Sequence, residues 1–266
     1  MAANAERTVA CLGPAGSYSE LAARRLADGA RIVLLPSFPA VFDALEGGAD
    51  CAVIPIENSI QGGVLQNLDL LETRDACAVR ELRLPIDHRL AVKEGVALSD
   101  ITRVYSHEQA LGQCAHYLDA VLPKAERIST RSTAHSLALL DAHSAGIVGA
   151  HIRAEGVVLS GENVADVKNN FTQFFLLRRR SEGIPSKGGT VFFSAVCEHR
   201  PGSLLALLEC FSARGINLTR IESRPIPRTP GEYRFFIEID AQPQAARPAL
   251  EAARRVCSSF RILGVY

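Results

Sequence analysis

The chain has 266 residues, 47% of them hydrophobic and 22% charged, with 29 basic against 29 acidic side chains and no net formal charge. That is length for a unit of about 180 residues plus a small one, in a composition that excludes wholesale disorder. The missing basic surplus argues against a nucleic-acid partner, and no apolar run approaches a membrane span. The first ten residues carry Glu6 and Arg7 and no apolar stretch, so a soluble, cytoplasmic chain is expected. Seven cysteines without a Cys-x-x-Cys do not form a disulfide framework or a zinc site, and the scattered histidines do not outline a metal centre.

Strand-like and helix-like segments alternate from the start. Residues 9–12 form a short apolar run ended by Gly13-Pro14-Ala15-Gly16. Helical periodicity follows over 17–27, opened by the capping-box pattern Ser17-Tyr18-Ser19-Glu20. The alternation recurs as 32–35 then 38–46, 52–54 then 64–72, and 103–105 then 108–122. A helix over 133–142 precedes a strand at 146–149, and an apolar strand at 174–177 ends in the basic triplet Arg178–Arg180, a solvated strand end. Strands separated by helices of this length predict an α/β unit with a mainly parallel sheet. Residues 181–189, rich in glycine and serine, read as a linker. Beyond it, strands at 190–196, 217–224, 233–240 and 261–265 with helices at 203–214 and 248–259 give a ferredoxin-like βαββαβ order.

Ligands of open α/β sheets gather beyond the carboxyl ends of the strands. Four such stretches are polar here. Gly13 to Ser17 sets two glycines at a helix start, where backbone amides can approach an anion, but it matches neither a P-loop nor a dinucleotide fingerprint. Residues 55–63, Pro-Ile-Glu-Asn-Ser-Ile-Gln-Gly-Gly, read equally as a holder of a polyfunctional small molecule and as an Asx turn with a helix cap. Ser106 is placed to cap the next helix, with Gln113 two turns on along the same face, and His107 is a general-base candidate without a partner acid. Asn169 to Phe174 reads as a turn feeding a strand. The residues by themselves reach a two-domain α/β protein with an uncharged polar cleft.

Together, Gly13-Pro14-Ala15-Gly16-Ser17-Tyr18-Ser19, Pro55-Ile56-Glu57-Asn58-Ser59, Ser106-His107 with Gln113, and Asn170-Phe171-Thr172 resemble the prephenate dehydratase family. Gly202-Ser203-Leu204-Leu205 and Glu222-Ser223-Arg224-Pro225, the latter preceded by Ile216-Asn217-Leu218-Thr219, resemble the signature stretches of that family's ACT domain. The likeness runs from about residue 8 to the C-terminus.

The resemblance implies a two-lobed, periplasmic-binding-protein-like catalytic domain over 1–180, with lobes at 7–80 plus 165–180 and at 88–160. A linker at 181–189 and a ferredoxin-like ACT domain at 190–266 would complete a monofunctional enzyme. It implies conversion of prephenate to phenylpyruvate with loss of carbon dioxide and water, requiring no cofactor and no metal. Thr172, Asn58, Ser106 and Gln113 match the catalytic positions. Ser17, Glu57, Ser59, Gln173 and Phe174 fall around the substrate, with Glu57 an acid if burial raises its pKa. Gln173 departs from the family's arginine, which leaves arogenate dehydratase or a non-aromatising prephenate decarboxylase as alternative chemistries. The ACT likeness implies control by L-phenylalanine through Gly202, Ser203, Leu204, Asn217, Leu218, Glu222 and Ser223, in a homodimer or homotetramer joined by these domains. A non-catalytic amino-acid-sensing binding protein would use the same parts.

Overall fold

The computed structural model describes residues 7–132, 135–227, 229 and 231–266. In chain order, β1 (Thr8–Leu12), α1 (Tyr18–Leu26), β2 (Arg31–Leu35), α2 (Phe38–Glu46) and β3 (Cys51–Asn58) build a parallel β2–β1–β3 core. The two-residue β4 (Gly62–Gly63) folds back on β3, and α3 (Leu65–Thr73) leads into β5 (Cys77–Pro85). A second sheet then takes β6 (His88–Lys93), β7 (Arg103–Ser106), β8 (Glu126–Ser129), β9 (Ser144–Gly149) and β10 (Val157–Leu159) in the order β10–β6–β9–β7–β8. Helices α4 (Glu108–Gln113) and α5 (Ala115–Val121) lie between β7 and β8. The chain returns as β11 (Phe171–Arg178), which inserts antiparallel between β3 and β5.

The C-terminal unit runs β12 (Thr190–Cys197), α6 (Ser203–Ser212), β13 (Asn217–Pro225), β14 (Tyr233–Asp240), α7 (Pro243–Val256) and β15 (Cys257–Val265). Its sheet order is β13–β14–β12–β15, the expected ferredoxin-like arrangement. One pairing, Gly264 with Ala78, joins β15 to β5, so the first and third units share a single sheet. Helices α6 and α7 cover one face of the C-terminal sheet around Leu207, Phe211, Ile237 and Ile239. The opposite face, with Phe192 and Phe236, packs onto Leu68, Leu71 and Phe175 of the first unit.

Local chemistry explains most boundaries. Ser17 Oγ accepts from Glu20 N at 3.2 Å and Ser37 Oγ from Ala40 N at 3.3 Å, which fixes the starts of α1 and α2. Several expectations need correction. Residues 55–58 are not loop: β3 continues through Asn58. The expected single helix over 108–122 breaks at Cys114. Of the helix expected over 133–142, Thr133 and Ala134 lie outside the described residues, and His135–Leu139 is a 3-10 turn. Helix α7 starts at Pro243, earlier than its strongest apolar spacing, and residues 257–259 belong to β15. Strands β5 and β6 escape a reading of the sequence because Arg80, Glu81 and Arg83 interrupt any continuous apolar run. The Arg178–Arg180 triplet is not simply solvated: Arg179 donates to the carbonyls of Leu45 and Ala49, and Arg180 to that of Ile262.

Among the bulges of these strands, two redirect side chains toward the joint between the units. Between β3 and β11, Gln173 pairs with Glu57 but Phe174 with Pro55, so Ile56 is skipped. Between β13 and β14, Leu218 pairs with Ile239 but Arg220 with Glu238, so Thr219 is skipped. Each extra residue reverses the in-out alternation beyond it.

Candidate active site

A cavity of about 320 Å³ opens between the first and second sheets. Asn58 at the end of β3 and Thr172 at the start of β11 meet on one wall, where Asn58 Nδ2 donates to Thr172 Oγ1 at 3.0 Å. The Asn58 amide orientation is fixed from the other side, because its Oδ1 accepts from the backbone N–H groups of Ile60 (3.1 Å) and Gln61 (3.2 Å). Asn58 Nδ2 also reaches Asn170 Oδ1 at 2.9 Å, and Ser59 Oγ donates to the same oxygen at 3.1 Å while accepting from Phe171 N at 3.0 Å. Since Thr172 Oγ1 accepts from Asn58, its own proton is directed elsewhere.

The opposite wall carries Gln113 from α4 and His88 from β6, with His88 Nε2 at 2.9 Å from Gln113 Oε1. Asn170 Nδ2 approaches the same oxygen at 3.5 Å. Burial holds His88 below the ordinary histidine pKa, against the hydrogen bond to Gln113, which raises it. A neutral ring donating from Nε2 fixes the Gln113 carbonyl. The Nε2 amide of Gln113 and Nδ1 of His88 are buried polar atoms without a partner among the described residues. Unsatisfied buried donors and acceptors are costly, and in a cavity wall they mark where a ligand supplies the missing bonds.

Tyr18 ties the two lobes at the rim. Its hydroxyl donates to Asp87 O at 2.7 Å and accepts from Asp87 N at 3.0 Å, and His151 Nε2 lies 3.0 Å from Gly16 O. Gly149 is required here, since a Cβ on it would collide with the His151 ring and come within 3.2 Å of Tyr18.

Asn58, Gln113, Thr172 and Ser17 therefore line one cavity, together with His107. Other expected residues do not. Ser106 is fully buried and donates to Ile147 O at 2.7 Å; the helix cap is His107, whose Nδ1 accepts from Gln109 N at 3.3 Å. Ser59 locks β3 to β11 rather than lining the cavity. The Ile56 bulge turns Glu57 toward the C-terminal unit, Gln173 faces the same way by plain alternation with Phe175 and Leu177, and Phe174 is buried in the core against Val9 and Leu84. Both glycine amides of the loop are also occupied: Gly16 N donates to Glu20 Oε2 at 2.6 Å and Gly13 N to Leu35 O at 2.8 Å.

Residues that sequence reasoning missed are Tyr18, His88, Arg131 and Ser132. His88 sits in a strand without a clear apolar signal, and Arg131 follows β8 in a stretch with no period. Among the described lining residues Arg131 alone carries a permanent charge, and none carries a carboxylate.

In the C-terminal unit a second cavity, of about 490 Å³, is lined by His199, Gly202, Ser203, Leu204, Tyr233 and Phe235, among others. Ser203 donates its hydroxyl within the loop to the carbonyls of Glu198 and Arg200. Asn217, Leu218, Glu222 and Ser223 lie apart from this cavity on β13, the edge strand of the sheet.

Comparison with known proteins agrees with this architecture. The family model for prephenate dehydratase matches residues 9–182, and that for the ACT domain matches 191–255. A prephenate dehydratase of Amycolatopsis methanolica is 36% identical over 97% of this chain and 88% of its own length. The Arabidopsis thaliana chloroplastic arogenate dehydratase/prephenate dehydratase 1 is 35% identical over 96% of this chain and 70% of its own length. The crystal structure of an Arthrobacter aurescens prephenate dehydratase in complex with L-Phe superposes with a TM-score of 0.85 at 33% identity, covering 97% of this chain and 89% of that one. The chain is thus a lyase of the prephenate dehydratase family, with an ACT domain at its C-terminus.

Proposed function

We propose that the chain converts prephenate to phenylpyruvate, carbon dioxide and water in the cavity between its two lobes. One observation carries this reading: a Thr172 hydroxyl that accepts from a fixed Asn58 amide and keeps its proton for a ligand. Prephenate carries a ring carboxylate, a pyruvyl side chain and a ring hydroxyl. When the carboxylate leaves as carbon dioxide, its bonding electrons move through the ring and expel the hydroxyl, and aromatisation makes the step favourable. The hydroxyl departs as water only if a proton reaches it.

Thr172 supplies that hydrogen bond. A threonine hydroxyl is too weak an acid to transfer its proton outright, so it acts as a donor or relay, polarised by Asn58. Gln113 offers its free amide protons to the substrate, and Arg131 faces a carboxylate with a permanent charge. Prephenate is favoured over arogenate because none of the described lining residues offers a carboxylate to receive arogenate's ammonium group. Turnover of both compounds by the purified chain tests the choice. A kcat/KM at least about tenfold higher for prephenate, with phenylpyruvate as product, is expected; the reverse ratio overturns it.

The catalytic part comprises residues 1–180 and the regulatory part 190–266, joined by 181–189. L-phenylalanine is the effector, at the 490 Å³ cavity beside the start of α6, in keeping with the L-Phe complex of the Arthrobacter relative. The exposed apolar side chains Leu205 (60%), Ile221 (49%) and Tyr233 (46%) support a homodimer through the C-terminal units, with β13 as a free edge. Seven unpaired cysteines suit a reducing compartment, the cytoplasm.

A further inference from the structure

We propose that Arg220, supplied by the C-terminal unit, is a positioning residue for the Thr172–Asn58 pair and carries the state of that unit into the cleft; this rests on the dehydratase reading. In the register of β3 and β11, Thr172 stands opposite Asn58 and Gln173 opposite Glu57. The first pair faces the cleft and the second faces β13. Arg220 donates to the Glu57 carboxylate and to Gln173 Oε1, and its Nε lies 3.5 Å from Glu238. Gln173 Nε2 in turn donates to Glu81 on β5 at 2.6 Å. The Arg220 side chain is only 10% exposed and that of Glu238 5%, so their pairing is little screened by water, whereas Glu57 is 38% exposed.

Both bulges are needed to build this contact. Skipping Ile56 sends Glu57 to the far side while Asn58 turns into the cleft. Skipping Thr219 takes Arg220 off the helix-covered face that Leu218 occupies and aims it at Glu57. Other polar crossings between the units, among them Arg224 to Asp69 at 2.7 Å, Arg234 to Glu72 at 3.4 Å, Ser194 to Glu72 at 2.5 Å, Arg261 to Arg74 O at 2.9 Å and Arg180 to Ile262 O at 2.6 Å, end on α3, on its C-cap or beyond the far end of β11. Arg220 alone among these grips the two strands that carry the reacting pair, one residue from it. A shift of β13 on effector binding must therefore strain or release the Asn58–Thr172 hydrogen bond, and small misplacements of a reacting group are expensive in rate.

The test uses the full chain with Arg220→Met, Arg220→Lys and Glu57→Gln. Glu57→Gln removes the β3 anchor of the clamp while leaving the buried Arg220–Glu238 pair, which guards against a simple folding failure. For both Arg220→Met and Glu57→Gln, kcat for prephenate is expected to fall about tenfold, with KM within about twofold. Arg220→Lys should recover part of the loss. Phenylalanine affinity by calorimetry should stay unchanged while the maximal inhibition shrinks. A purely structural role would lower the thermal midpoint and leave kcat of the folded enzyme alone, and that result overturns the proposal. A wild-type chain that turns over prephenate but ignores phenylalanine overturns the signalling half and leaves the positioning half to the kcat readout. A wild-type chain without turnover overturns the functional reading itself, and this inference with it.

Discussion

The two sides of one strand pair, β3 with β11, are built on opposite terms. On the cleft side Asn58 and Thr172 face neutral polar groups, and the wall opposite them leaves Gln113 Nε2 and His88 Nδ1 unsatisfied. On the other side Glu57 and Gln173 meet Arg220 in a contact where each charge has a partner. The difference teaches what each side is for. A reacting site keeps donors free so that the substrate completes the network, whereas the Arg220 contact closes its polar groups on one another.

The sharpest way to break this comparison is Thr172→Ala. Loss of the polarised hydroxyl is expected to lower kcat by about 10²–10⁴-fold, as for removal of a positioned proton donor, with circular dichroism and thermal midpoint near wild type. Phenylpyruvate formation measures the first and melting the second; Thr172→Ser, which keeps the hydroxyl, should retain most of the activity. Phe174→Ala, two residues along, should do the opposite. It removes a core ring that is 2% exposed, so stability to urea should fall by about 3–5 kcal/mol while KM of the folded fraction holds.

A smaller effect sharpens the charge argument. Arg131→Gln should raise KM for prephenate by about tenfold and flatten its dependence on salt, since the change removes the permanent charge from the lining. Smallest is the effect of acid on stability. Burial holds His88 and His151 below the usual histidine pKa, so the unfolded chain protonates first as pH falls. Their stabilising contribution is full above about pH 6.5 and is lost as pH drops through the lowered folded values. Melting temperatures at stepped pH should decline on the acid side, and His88→Gln should make that slope shallower.

Much of this molecule was legible in its sequence, and the illegible parts have physical causes. The βαββαβ order and the α/β alternation follow from apolar runs bounded by glycine and proline. Three of the four expected catalytic side chains, Asn58, Gln113 and Thr172, reach one cavity although more than a hundred residues separate the first from the last. Motif membership alone could not say which way each side chain points. Gln173 sits beside Thr172 in sequence but faces the other unit by strand alternation, and Glu57 does so because of a one-residue bulge at Ile56 that leaves no trace in composition. Ser106 looks like a helix cap by type, yet its hydroxyl is used on the neighbouring strand at Ile147. His88 and Arg131 were missed because β6 is too polar to stand out and the stretch after β8 has no period.

The most direct measurement follows the purified chain with prephenate at neutral pH, with and without L-phenylalanine, identifying the product. Phenylpyruvate and carbon dioxide are expected in equal amounts, formed more slowly when phenylalanine is present. A non-aromatic decarboxylated product, or binding of phenylalanine with no turnover of prephenate, would contradict the dehydratase reading.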